Sequence, residues 1–259
     1  MNLFNYNTLE VHLEKETKSA NLTIFEEYIT TELIFELESF FNWIANKVEI
    51  DCLYIKNNNP YFSKGIDLNH WKTLDTKRVN QNLKTLQKLT YISYLLPQTI
   101  IIDMGLGAKG LGAELILTGD VRIAHENTTI QFDHLDKGLV PCSGGIGFLS
   151  EIVGQSFTRN WIMLGKKVKA SELINSGLVI DTYSENQTEL VNVIKNKIHS
   201  QNSVARIQAK RSLLDTINKS FEAAREFENR YALGVLGSGD WKNESSTNPK
   251  DLRTLLQSV

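Results

Sequence analysis

Residues 98–104 (QTIIIDM) are a short β-branched run, apolar at consecutive positions, and the chain passes from it straight into Gly105-Leu106-Gly107-Ala108-Lys109-Gly110-Leu111-Gly112. Consecutive apolar positions predict a strand buried on both faces, which belongs in a parallel sheet covered by helices. The glycines that follow allow a tight turn and a close approach of the backbone to whatever lies beside it. Residues 111–117 then predict a short helix, ended by Thr118-Gly119-Asp120. The first amides of a helix have no partner of their own, so a glycine turn feeding a helix start favours an anion or a developing negative charge.

Formally, GLGAKG is a GxGxxG, the turn with which a dinucleotide-binding unit holds a pyrophosphate. Three features weigh against that reading. The helix is only residues 111–117 long, and the motif lies past residue 100, whereas such a unit usually opens its domain. No clear second strand ends in an acid about 20 residues further on; Glu126 falls in the polar stretch 125–128 instead. A nicotinamide or flavin cofactor is therefore not expected.

The flanking sequence extends an α/β pattern. Leu9–Glu14 alternates apolar and polar residues, and residues 21–25 offer a second β-like run. Residues 27–47 predict a helix, with Leu33, Leu37, Phe40, Phe41 and Ile44 forming one apolar stripe at spacings of three and four. Residues 50–55 predict a strand, 56–65 a polar loop containing Pro60, and 77–95 a helix. The second half reads as helices over 144–153, 157–164 (with Ser156 as N-cap), 170–176, 188–199 and 203–230. Residues 237–250 (GSGDWKNESSTNPK) read as an exposed connection before a short last helix.

Composition narrows the partner. Lys and Arg total 28 against 30 acids, for a net charge of −2, without the basic excess of a nucleic-acid footprint. The partner expected is a small molecule. Cys52 and Cys142 are too few for a disulfide scaffold, and neither they nor His12, His125 and His199 have the spacing of a metal site. There is no apolar run of ~18 residues and no N-terminal apolar h-region. A cytoplasmic protein without membrane contact is expected.

One ordered series of motifs says more than any of these. Tyr61–Leu68 (YFSKGIDL) follows the 50–55 strand. Gly110 through Leu115 is followed by Asp120, then Arg122-Ile123-Ala124 with Glu126-Asn127. Gly138-Leu139-Val140-Pro141 with Gly144-Gly145 comes next, then Leu164-Gly165 and Ala170 through Gly177-Leu178-Val179. In this order and with these gaps, the sequence resembles the crotonase superfamily, the enoyl-CoA hydratase/isomerase family, from about residue 50 to 179 and less closely to about 241.

The resemblance implies an α/β fold of repeated β-β-α spiral turns over residues 1–190. It implies a helical lid and oligomerisation region over 191–259, building a homotrimer or hexamer. It also implies an enzyme on an acyl thioester, with coenzyme A as part of the substrate and no separate cofactor. The backbone N–H groups of Ile66 and Leu111 would hold an enolate oxygen, since fixed dipoles aimed at developing charge need no reorganisation. Lys64, Gly65, Asp67, Gly110, Gly112, Pro141 and Gly144 would border the substrate.

Glu114, one helical turn past Leu111, matches the first of two acid/base carboxylates. Its alternative is a helix-surface acid favouring the N-terminal dipole. The position of the second carboxylate holds His134, flanked by Asp133 and Asp136. An imidazole can move protons near neutral pH, so His134 either replaces the missing acid or marks a site that has lost half its apparatus.

Lys64 and Leu111 stand where relatives carry smaller residues, and the family's Ala-Phe tail is replaced here by residues 241–250. Those departures keep a carrier-protein thioester open beside CoA. His134 in place of the second carboxylate keeps decarboxylation, isomerisation and hydrolysis open beside hydration, and a non-catalytic thioester-binding subunit stays open beside an enzyme. His70 and Trp71 are candidates for the acyl channel, equally readable as a helix edge. Cys142 reads as small packing rather than a nucleophile. The run Gly165 through Lys169 reads as a solvated turn.

Overall fold

The computed structural model describes residues 4–242. Residues 243–259, with most of the expected connection and the short last helix, lie outside the described residues. Six strands form the main sheet: β1 (Leu9–Glu14), β2 (Ser19–Ile24), β3 (Cys52–Asn57), β4 (Thr99–Asp103), β6 (Val121–His125) and β9 (Asp181–Tyr183), in the order β1-β2-β3-β4-β6-β9. β1 is antiparallel to β2, and every other pair is parallel. A second sheet joins β5 (Gly107–Lys109), β7 (Thr129–Gln131) and β8 (Lys167–Lys169).

The QTIIIDM run, as β4, sits at the centre. Ile100 and Ile102 of β4 enter the main core, against α1 (Thr31–Ile44) and α3 (Thr76–Leu95). Ile101 faces the other way, into a cluster with Cys52, Tyr54 and Ile123 under Val191 and Ile198 of α7 (Thr188–His199). Both faces of β4 are dry, as its lack of alternation requires. The remaining helices are α2 (Leu68–Thr73), α4 (Leu111–Leu115), α5 (Gly147–Met163), α6 (Ala170–Asn175) and α8 (Ser203–Ser238). No helix among the described residues is long and apolar enough to cross a membrane.

Differences from expectation have local causes. α1 starts at Thr31, capped by Thr30, rather than at residue 27. Residues 27–29 are held by the 63–66 loop: Ile29 N–H donates to the Gly65 carbonyl at 2.8 Å, and Lys64 N–H to that of Glu27 at 2.7 Å. The two helices expected at 144–153 and 157–164 are present as the two arms of α5, the first beginning at Gly147. Its break is at Gly154 (φ 79°, ψ 163°), and Ser156 is not the cap. α8 runs on past Arg230 to Ser238, and Trp241 turns back into the interior, 4% exposed, instead of lying in an exposed connection.

The GxGxxG does not open a dinucleotide unit. Its middle glycine starts β5 at φ +129°, where a Cβ would fall 1.8 Å from the Thr129 carbonyl oxygen of the neighbouring strand. Gly107 serves strand packing, Gly105 lies against the Pro60 carbonyl, and the helix that follows has five residues.

α8 is fastened to the sheet by charged contacts, the Asp51–Arg206 pair among them buried. The Asp51 carboxylate, just ahead of β3, accepts from Ser203 Oγ and Arg206 Nη2 at 2.8 Å each, and pairs with His199 Nδ1 at 3.0 Å. Lys210 reaches Asp120 Oδ2 at 2.6 Å, and the same oxygen accepts the Ile100 amide at 2.7 Å. Arg122 in β6 donates to the carbonyls of Leu178 and Gly119. The Asp120, Arg122 and Leu178 positions of the motif series are thus the joints between β6 and its surroundings.

Candidate active site

The loop carrying Ile66 is zipped onto β5. Phe62 N–H donates to the Gly107 carbonyl at 2.8 Å, and Lys109 N–H to that of Ser63 at 3.0 Å. Gly65 (φ +85°) lies so close that a Cβ there would be 2.9 Å from the Lys109 carbonyl oxygen and 3.7 Å from Gly110 Cα. A side chain would therefore force the two segments apart. Gly112 likewise stands against Ser63, and Gly110 is the N-cap of α4. Ile66 and Leu111 are brought side by side in this way, and neither of their amides has a partner among the described residues.

Both residues line a cavity with Trp71, Leu83, Leu139, Val140 and Cys142, roofed by Ala232, Leu236 and Trp241. His134, Asp133 and Lys137 supply its polar margin. The free volume is about 30 Å³, room for one or two waters. An adjoining open groove of about 480 Å³ is lined by Lys64, Lys109, Lys137 and Lys167 with Tyr28 and Tyr61. Ile66, Asp133 and Lys137 belong to both, so they form the partition between a basic groove and an apolar cavity.

Glu114 and His134, twenty residues apart in sequence, meet here. Glu114 Oε1 and His134 Nε2 are 2.7 Å apart, with the two residues 0% and 4% exposed. Glu114 Oε2 accepts the amides of Cys142 (3.1 Å), Ser143 (2.8 Å) and Gly145 (2.9 Å). The carboxylate lies behind the cavity wall; the imidazole is part of that wall, and its Nδ1 has no partner. Glu114 is thus a buried, fully hydrogen-bonded group and not a helix-surface acid.

The other expected residues fall into place around this pair. Asp67 caps α2, accepting from the amides of Asn69 and His70. Lys64 pairs with Glu27 at 2.8 Å, which raises its pKa. Pro141 and Gly144 belong to the loop under Glu114, and the Gly144 amide donates to Glu228 at 2.7 Å. Asp133 pairs with Lys137 at 2.9 Å, and Asp136 is exposed near Gly165. Trp71 lines the cavity while His70 is exposed. Burial, Glu114 and Glu228 push the Cys142 thiol well above its usual range, which suits packing rather than nucleophilic attack. Lys166 is tied to Glu172 at 2.7 Å rather than free in a solvated turn.

Two contributors have no local sequence signal. Glu228 of α8 is 2% exposed and reaches a loop some 80 residues upstream. Trp241 is seated against Gly138, with its Nε1 donating to the Leu236 carbonyl at 3.4 Å.

Comparison with known proteins agrees with this architecture. The sequence profile of the enoyl-CoA hydratase/isomerase family matches residues 26–245. A short-chain-enoyl-CoA hydratase of Clostridium acetobutylicum is 26% identical over 245 residues, covering 92% of this chain and 93% of its own. Ethylmalonyl-CoA decarboxylase of Mus musculus is 32% identical over 148 residues, covering 57% and 44%. Among solved structures, an enoyl-CoA hydratase from Bacillus halodurans superposes with a TM-score of 0.84 at 18% identity, covering 98% of this chain and 100% of its own. DspI of Pseudomonas aeruginosa gives 0.77 at 23%, covering 88% and 91%. The fold is the crotonase fold. The chain belongs to the enoyl-CoA hydratase/isomerase family and is of the acyl-CoA enzyme type.

Proposed function

We propose that the chain forms and quenches a thioester enolate, and that its reaction is hydration of a 2-enoyl-CoA. The observation that carries this is the 2.7 Å Glu114–His134 contact in the wall of an apolar cavity lined by the two unpartnered amides of Ile66 and Leu111. The thioester oxygen sits between those amides. Water oxygen bonds to the β-carbon, and the π pair moves onto the thioester oxygen, where the amides take the charge. With Glu114 as a carboxylate, His134 Nε2 carries its proton and Nδ1 offers a lone pair. Nδ1 takes a proton from the water and returns one to the α-carbon, so His134 ends as it began.

The four lysines of the groove fit the phosphates of coenzyme A; Lys109 and Lys167 have no ion-pair partner among the described residues. The groove also fits the single phosphate of a carrier-protein arm. Exposed Val204 and Leu213 on α8, with Met163 and Leu164, support assembly into the homotrimer or hexamer that the resemblance implies. Sedimentation will read that mass directly.

A second reading, decarboxylation of a carboxylated acyl-CoA, is favoured by one feature. Every Glu114 oxygen is occupied, which leaves His134 rather than a pair of free carboxylates to handle the proton. Loss of CO₂ leaves its electron pair on the same enolate and needs only one proton delivered. Incubation with but-2-enoyl-CoA and, separately, ethylmalonyl-CoA tests both: loss of enoyl absorbance supports hydration, and CO₂ release supports the second reading. Binding of both without turnover leaves a non-catalytic binder.

Trp241→Ala is expected to cost about 3–5 kcal/mol in unfolding free energy and to improve turnover of longer acyl chains relative to four-carbon ones. A chain-length profile identical to the parent's is incompatible with Trp241 bounding the acyl end.

A further inference from the structure

The loop under the acid/base pair donates six consecutive amides to two buried carboxylates. Cys142, Ser143 and Gly145 donate to Glu114, while Gly144 (2.7 Å), Ile146 (2.9 Å) and Gly147 (2.9 Å) donate to Glu228. The two sets interleave at Gly144 and Gly145, so neither can shift without dragging the other. Gln87 of α3 adds a tie, donating to the Cys142 carbonyl at 2.8 Å and to Asn229 beside Glu228 at 3.3 Å. No lysine or arginine pairs with either carboxylate among the described residues. Two buried carboxyl groups are therefore held by backbone dipoles and one imidazole, a costly arrangement for a region that needed only packing.

We infer that Glu228 is a positioning residue: it holds the 142–147 loop so that Glu114, and through it His134, keeps the orientation needed for proton transfer. The inference rests on the proposed function for its kinetic consequence, though its structural part does not. Glu228 comes from the helix that also supplies Ala232 and Leu236 to the cavity roof. The same residue thus couples a seated roof to an aligned acid/base pair. Burial first, then the Glu114 charge, push its carboxyl up to about 7, so repulsion between the two carboxylates accompanies the fit. The titratable groups around this pair are the His134 imidazole, 2.7 Å from Glu114, and the Cys142 thiol in the loop itself.

The test uses the full chain with Glu228→Gln, and Glu226→Gln on the exposed face as a control. Glu228→Gln is expected to lower kcat on but-2-enoyl-CoA by about 10–100-fold, with KM changed less than about two-fold and Tm near the parent's. The pH–rate profile around pH 7 is expected to change in shape, since one of the groups titrating there is removed. Adding Glu228→Gln to Glu114→Gln is expected to cost little more, because both act through one group. Amide hydrogen exchange gives a readout free of activity: Cys142, Ser143 and Gly145 are expected to exchange at least about ten-fold faster in Glu228→Gln. An unchanged kcat, or losses that multiply in the double variant, overturns the kinetic role. Unchanged exchange at those amides overturns the positioning itself. If the parent turns over no thioester while the exchange effect is present, the proposed reaction has failed and the positioning stands.

Discussion

Glu114→Gln is expected to lower kcat on but-2-enoyl-CoA by about 10²–10⁴-fold, the range that general acid–base groups contribute. The amide side chain keeps the volume and one accepting oxygen, so the three backbone donors on Oε2 retain a partner. What changes is the face toward His134. Either the NH₂ group meets Nε2–H, leaving two donors opposed, or the imidazole must shift its proton or its ring to accept from that NH₂. Binding of the thioester is expected to survive, because the groove lysines and the Ile66 and Leu111 amides are untouched. Steady-state kinetics with calorimetric binding of a non-reactive acyl-CoA separates the two effects. Undiminished turnover means that Glu114 does not govern the proton transfer. His134→Ala is expected to fail similarly, and its loss is not expected to multiply with that of Glu114→Gln, since the two act as one unit.

Arg206→Ala is expected to lower the unfolding free energy by about 3–5 kcal/mol, because it strips the guanidinium from a buried carboxylate. For a chain of this size that corresponds to a fall of roughly 6–20 °C in Tm. Asp51 and Arg206 are both largely buried, so solvent will not replace the lost partner. A loss below about 1 kcal/mol in urea unfolding means that the cluster contributes only surface-like electrostatics. The pH dependence has a definite sign. Burial by itself raises the Asp51 pKa, but His199, Ser203 and Arg206 outweigh it and hold the carboxyl below its usual value. A depressed carboxyl stabilises the fold above the unfolded-state pKa of about 3.9 and loses that contribution as pH falls through the lower folded value. Acid unfolding below about pH 4 is expected to be less steep in Asp51→Asn than in the parent.

What the sequence made legible was whatever depends on neighbours in the chain. QTIIIDM declared a strand dry on both faces, and the Thr188–His199 helix lies where its pattern put it. The motif series located Ile66, Leu111, Glu114 and His134; the first two and His134 line one cavity, and Glu114 stands behind its wall. Three-residue strands such as Gly107–Lys109 and Lys167–Lys169 are too short to show alternation. The start of α1 is set by pairing with a loop near Gly65, not by anything within residues 27–31. Glu228 was invisible for a stronger reason: Glu226, two positions away, is the same residue type on the same helix and points to solvent. Only the fold distinguishes them.

The roof formed by α8 and Trp241 has a consequence for pace. At rest the chamber has space for one or two waters and none for an acyl chain. On the proposed reaction, each cycle must open with the lifting of an aromatic and aliphatic cover and close with its return. Such a stroke runs on microseconds to milliseconds and often sets kcat in place of the chemistry. Solvent viscosity would then be the brake on turnover, and deuterated water would leave it nearly untouched.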